Sequence, residues 1–156
     1  MSDSGAISID RPFEELADLL SSRPADWVVA FVRIAAHAGE AAAARSLGLT
    51  SSSGSREIHV ELLRPLPGTG ENEMVVPLRW RTSGFRWVPP TFAGRLVVRT
   101  VSPTACEIEL DGSYALPPSV EDDAGAEAAA IANRAAVATF LRSLRAAAEE
   151  RPRQTV

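Results

Sequence analysis

Two periods alternate along the chain. Ala6 to Asp10 puts Ile7 and Ile9 on one face and predicts a short strand. From Asp10 the spacing lengthens, and Phe13, Leu16, Ala17 and Leu20 share one helical stripe. Asp10 suits the N-cap, Pro12 the first turn, and Glu14 and Glu15 the positive end of the helix dipole. Ser21 to Pro24 ends this helix. Asp26 caps the next one, in which Trp27, Phe31, Ile34, Ala35 and Ala38 recur at helical spacing and Arg33, His37 and Glu40 form a solvated opposite side. The Ala41 to Ala44 run carries it to about Leu47, with Gly39 a weak point in its middle and Gly48 its stop. Residues 50–55, TSSSGS, form a loop.

The period then drops to two. Ile58, Val60 and Leu62 alternate with Glu57, His59 and Glu61, and Arg64 to Glu73 is loop. Met74, Val76, Leu78 and Trp80 alternate with Val75, Pro77, Arg79 and Arg81; Pro77 points to an edge strand or a bulge, because proline cannot donate to the ladder. After an aromatic and proline-rich connection, Phe92, Gly94, Leu96 and Val98 face one way and Arg95, Val97 and Arg99 the other. Beyond a turn at Ser102 to Thr104, Cys106, Ile108, Leu110, Gly112 and Tyr114 alternate with Glu107, Glu109, Asp111 and Ser113. Closing this hairpin sets Arg99 against Glu107 and Arg95 against Asp111, which marks the solvent face and the register. Ala124 to Glu150 lacks proline and predicts a helix of ~37 Å. Its apolar stripe is Ala129, Ala130, Asn133, Ala136, Val137, Phe140, Leu141, Leu144 and Ala148. The prediction is a single domain over residues 6–150 with five strands and no internal repeat, and flexible termini at 1–5 and 151–156.

Composition changes this picture little. A chain of 156 residues can bury roughly 70% of its unfolded surface, and 38 of its residues are Val, Ile, Leu or Phe, enough to fold. The 26 alanines and the complete absence of lysine read as a compositional bias of the source genome. The second removes Schiff-base chemistry. Sixteen basic against 20 acidic residues, net −4, argue against nucleic-acid or anionic-membrane binding by electrostatics. One cysteine excludes an intrachain disulfide and a CxxC pair. No basic segment precedes an apolar leader. The longest strongly apolar run, Trp27 to Val32, falls short of the ~20 residues of a membrane span, so a cytoplasmic protein with no membrane span is expected. The oligomeric state stays open, with a homodimer compatible.

No catalytic set emerges. His37 with Glu40, and His59 with Glu57 and Glu61, are the nearest approaches to metal sites, but each lacks a second donor cluster, so neither a metal nor a cofactor is expected. No GxSxG elbow is present. Cys106 is in phase with Ile108 and Leu110 and reads as a buried apolar cysteine. Leu66 to Asn72, LPGTGEN, lacks the lysine of a phosphate loop. The aromatic residues say more. Trp80, Phe92 and Tyr114 face inward from three strands; Asn133, Val137 and Phe140 lie on the inward stripe of the long helix; Phe31 and Trp27 belong to the second helix. Together they make either a filled core or an aromatic-walled pocket in which Tyr114 and Asn133 orient a ligand. Gly94 and Gly112 on the inward face provide curvature or space. Phe85 and Trp87 form a lid or mouth, or simply pack over the sheet edge.

The order of strand, two helices, antiparallel strands and one long C-terminal helix resembles the START-like, or SRPBCC, superfamily. Two stretches carry the local likeness. One is Trp80-Arg81-Thr82-Ser83-Gly84 followed by Val88 to Leu96; the other is Leu110-Asp111-Gly112-Ser113-Tyr114-Ala115-Leu116-Pro117-Pro118 leading into the helix. The likeness to uncharacterised bacterial members runs from about Ile7 to Glu150. It departs in strand number, in lacking glycine pairs after Pro118, and in the length of the second helical region. The resemblance implies an α+β helix-grip fold, in which a curved antiparallel sheet wraps a long C-terminal helix around an apolar cavity. It further implies binding of a small hydrophobic or amphipathic molecule, lipid or polyketide-like, with Trp80, Phe92, Tyr114, Asn133, Val137, Phe140 and Phe31 lining the cavity. A polyketide cyclase/dehydrase-type enzyme acting by substrate positioning, and a protein-interaction or chaperone-like module, are the alternatives it implies.

Overall fold

A computed structural model describes residues 2–21, 24–50, 56–68, 70, 72–117, 120 and 122–150. The element order is β1 (Ser2–Ile9), α1 (Phe13–Ser21), α2 (Pro24–Ser46), β2 (Glu57–Leu62), β3 (Leu66–Pro67), β4 (Glu73–Ser83), β5 (Thr91–Ser102), β6 (Ala105–Tyr114) and α3 (Asp123–Glu150). The strands form one curved antiparallel sheet in the order β1-β6-β5-β4-β2, with β3 beside β4. α3 lies over the β1 side of the concave face, and α2 runs alongside α3 and over β2. The expected flexible terminus at 151–156 lies outside the described residues.

The hairpin register is the one the charges predict: Arg95 faces Asp111 and Arg99 faces Glu107. Arg99 draws in Glu107 at 3.7 Å, Glu109 at 3.8 Å and Glu73 at 3.7 Å. Val97 lies on this outer face as expected but is buried, between its cross-strand neighbours Val75 and Glu109.

Three strand expectations change. First, β1 begins at Ser2, so residues 2–5, placed outside the domain by the alternation, pair with β6 from Ser113 to Leu110. The inward positions there are Asp3 and Gly5, which carry no hydrophobic signal. Val137 and Leu141 lie 3.1 and 3.3 Å from where a Cβ on Gly5 would sit, so the glycine lets α3 settle on the strand. Second, the described sheet has six strands, not five; β3 is two residues long and offers no alternation to read. Third, Pro77 sits in an interior strand. Its carbonyl accepts from Leu63 N, so its missing N–H points to the same side, where β2 ends opposite Leu78 and β3 begins opposite Val75. The break in the neighbouring strand removes the partner that Pro77 could not serve.

The helix ends are closed by side chains and by glycine. α2 stops in a Schellman motif: Gly48 is left-handed at φ 69°, its N–H donates to Arg45 O, and Leu49 N donates to Ala44 O at 2.8 Å. Asp122 caps α3 by accepting from Gly125 N at 2.7 Å. At the other end of α3, buried Arg11 donates to the carbonyls of Ala148 and Glu149, placing a cation on the negative end of the dipole.

The alanines have a structural role that the genomic reading overlooked. Ala36, Ala43 and Ala44 of α2 and Ala128 and Ala132 of α3 are buried in one cluster. A Cβ on Gly39 would stand 2.4 Å from Ala132 O, so the two helix backbones meet there. The buried face of α2 is accordingly rotated from the stripe that larger residues suggest, and Ile34 is 53% exposed. In an exposed helix Gly→Ala stabilises by about 1 kcal/mol. Gly39→Ala is expected to do the opposite, costing about 1–3 kcal/mol through overpacking against backbone. Chemical denaturation reads the sign directly, and a stabilised variant would refute the close approach.

Candidate ligand site

The inward aromatics form one continuous row. Trp27 and Phe31 of α2 stand 5.5 Å apart between ring centroids, and Phe31 meets Phe140 of α3 edge-on at 6.4 Å. Phe140 lies 6.0 Å from Trp80 of β4, which stacks on Phe92 of β5 at 4.3 Å. The row runs from half-buried Trp27 and Phe31 to fully buried Phe140 and Phe92. Trp27 Nε1 is buried and has no hydrogen-bond partner among the described residues, which leaves a donor unmatched beside the half-buried end of the row.

Six of the seven residues expected to line a cavity come together as packed side chains, and the seventh, Asn133, is buried against Asp3. Trp80, Phe92, Tyr114, Val137 and Phe140 are buried in one core cluster and Phe31 packs against it. Tyr114 sits opposite Phe92 across β5 and β6. Asn133, only 2% exposed, donates from Nδ2 to Asp3 Oδ2 at 3.2 Å. Burial first, and then the Asp3 charge, raise the Tyr114 pKa and keep its phenol neutral. The inward glycine pair does not leave room for a guest. A Cβ on Gly112 would stand 2.5 Å from Phe92 Cζ, and one on Gly94 would stand 2.3 Å from Asp111 O. The glycines admit the Phe92 ring and the close approach of the strands. Of the seven, a depression of about 270 Å³ on the outer face of β2 and β4 touches none, and one of about 220 Å³ between β1 and α3 touches Val137 alone.

Phe85 and Trp87 pack over the helix pair. Trp87 and Val88 are buried among the alanines of α2 and α3. Phe85, half-buried, meets His37 edge-on at 5.4 Å and carries Arg56 over its ring at 4.8 Å. Glu40 holds this segment down. It is 2% exposed, where a solvated position was expected, and its carboxylate accepts from the backbone of Arg86 at 2.6 Å, Trp87 at 2.8 Å and Val88 at 3.3 Å. The available signal was its place in the small-residue stripe Ala36, Glu40, Ala43 and Ala44, which a charged residue enters only with partners.

Among the described residues no three His, Cys, Asp or Glu side chains converge to hold a metal. His37 accepts from Arg56 at 2.9 Å; partial burial, then Arg56 and Arg33, lower its pKa and favour the neutral ring. His59 lies on the outer face with Arg79, Arg81 and Glu61, where the Arg79–Glu61 pair at 2.6 Å joins β4 to β2. Cys106 is fully buried, and burial pushes its thiol up to about 11.

By length and composition Trp27–Ser46 could cross a membrane, although Arg33 interrupts its apolar run. In the fold this stretch is the core helix packed on α3 and β2.

No family profile matches the chain, and no curated protein matches its sequence. Its fold is similar to that of a START superfamily protein from Mycobacterium smegmatis, with TM-score 0.53 at 8% identity over 96% of this chain and 97% of that one. It is likewise similar to a protein from Thermus thermophilus, with TM-score 0.52 at 11% identity, again over 96% and 97%. The fold is START-like, an α+β helix-grip arrangement.

Two outcomes follow from this geometry. Glu40→Gln is expected to destabilise by about 1–3 kcal/mol, since the amide can no longer satisfy the three N–H donors as an anion does. Hydrogen exchange at Arg86, Trp87 and Val88 should accelerate selectively, and unchanged protection there would show that Glu40 does not hold the segment. Iodoacetamide at mildly alkaline pH should leave Cys106 unmodified in the folded chain and label it in denaturing urea.

Proposed function

We propose that the protein binds a small hydrophobic or amphipathic molecule, lipid or polyketide-like, between the sheet and the α2–α3 pair. The observation that carries this reading is the aromatic row ending at Trp27, whose buried indole N–H has no partner among the described residues. The START-like fold supports it by supplying a sheet and helix that can grip a guest. The interior is filled by side chains, so a ligand would enter by displacing Trp27 and Phe31 and replacing their contacts with its own. Affinity would come from apolar burial at ~25 cal/mol per Å², reduced by the cost of opening. A polar head on the ligand would meet Trp27 Nε1.

The test is tryptophan fluorescence and thermal shift against fatty acids, lysolipids and aromatic polyketides. A binder at ~100 times its Kd should add about 2.7 kcal/mol of stability. Trp27→Phe keeps the ring and drops the N–H. It is expected to weaken ligands with a polar head about three- to tenfold and leave wholly apolar ones unchanged. A panel with no binder on the folded chain refutes the reading.

One observation favours a second reading, a polyketide cyclase/dehydrase-type enzyme acting by substrate positioning. Asp3 and Asn133 are hydrogen-bonded at 3.2 Å, and Asp3 acts electrostatically on Tyr114. This reading requires that a bound polyketide be consumed, and that Tyr114→Phe slow its consumption without loss of binding.

A further inference from the structure

β1 is one edge of the sheet, paired only with β6 among the described residues. Its outward side chains are Ser2, Ser4, Ala6 and Ser8, all small and uncharged. Edge strands normally carry charge, proline or a bulge that discourages pairing. The opposite edge, β2, has Glu57, His59 and Glu61 facing out; β1 has no outward charge, and its one charged side chain, inward Asp3, accepts from Ser4 N at 2.9 Å.

Beside this edge runs a groove of about 220 Å³ between β1 and α3. Its floor is apolar, from Ile7, Val137, Ala138 and Leu141, and Arg134 and Arg142 stand exposed on its α3 wall. Among the described residues no carboxylate lies within ion-pair distance of either guanidinium. Arg142 donates to Thr139 Oγ1 at 3.1 Å, and Asp3, the acid on β1, faces inward to Asn133. On a chain of net charge −4, this is a local cationic wall over an apolar floor, beside a strand edge with no neighbouring strand among the described residues.

We propose that the free edge of β1 takes up an extended acidic peptide as an added strand. Backbone bonds to β1 supply the pairing, and the groove supplies selectivity. Arg134 and Arg142 are eight helix residues apart, ~12 Å. Two side chains on one face of a strand, four residues apart, are separated by roughly 13 Å. The matching segment therefore has acidic residues at i and i+4 with an apolar residue between them at i+2, over Ala138 and Leu141. A second copy of the chain fits less well. Pairing β1 with itself would gather the arginines of both copies on one side of the sheet, with no carboxylate in the groove to offset them. The site is separate from the aromatic row, and the proposal does not depend on ligand binding there.

The probe is the capped, fluorescein-labelled peptide Ser-Glu-Thr-Val-Thr-Glu-Ser, titrated into the full chain at low salt. It should bind about tenfold or more tighter than the version with both glutamates replaced by lysine. Amide shifts should cluster at Ser4 to Ile7 and at Arg134 to Arg142. N-methylation of alternate peptide residues should abolish binding. Arg134→Glu and Arg142→Glu, both at exposed positions, should each weaken the acidic peptide about tenfold while keeping the thermal midpoint. Equal binding of both peptides, undiminished binding of the N-methylated one, or shifts confined to other surfaces would overturn the proposal. So would a concentration-dependent dimer in sedimentation that excludes the peptide.

Discussion

The structure depends on how closely α2 and α3 approach. At Gly39 the backbone of one helix touches the backbone of the other, with no room for a single methyl group at Ala132 O. Alanines continue this contact on both helices, while toward the start of α2 the facing residues become Trp27, Phe31, Phe140 and Leu144. Interhelical distance follows side-chain size. The pair is therefore drawn together at the Gly39 end and held apart where the aromatic row lies. The same small-residue contact brings Glu40 under residues 86–88, so one packing constraint sets both the aromatic end and the anchored connection at the other.

Glu40 shows what such a constraint demands. Burying a carboxylate away from water is costly unless its oxygens are satisfied. Three backbone donors in succession do this, and they in turn would be orphaned without it. The arrangement fixes the path of Trp87 and Val88 into the alanine cluster. Arg11 has the corresponding role at the far end of α3, where its guanidinium serves the last carbonyls. Each end of the two-helix layer is thus tied by a buried charge whose partners are backbone groups distant in sequence.

The helix-grip fold and the filled interior are compatible on the proposed ligand-binding reading, in which the aromatic row is the ligand-free arrangement. Trp80 and Phe92 form its deep stacked end, with the Gly94–Gly112 pair giving the Phe92 ring its seat. Trp27 and Phe31 are the half-buried members, and they belong to the helix rather than to the sheet. Opening would ask for movement of two side chains on α2, leaving the sheet register unchanged.

Where a pattern repeats with strong hydrophobic contrast, the sequence alone determines the structure. The alternation in β4, β5 and β6 yields the inward set from Met74 to Tyr114, and opposed charges yield the Arg95–Asp111 and Arg99–Glu107 register. The candidate aromatic residues were legible for the same reason. What only the tertiary structure decided lies where side chains are small or where polar groups meet across long separations. Gly5 and Asp3 hid half of β1, two-residue β3 had no period to read, and alanine gave no hint which face of α2 was inward. Glu40, Asp3 and Arg11 gained their partners 46, 130 and 137 residues away. Local periodicity reports which face is buried when side chains differ in hydrophobicity. It is silent when close packing is achieved by removing side chains, because absence of a methyl group at Gly39 has meaning only beside Ala132.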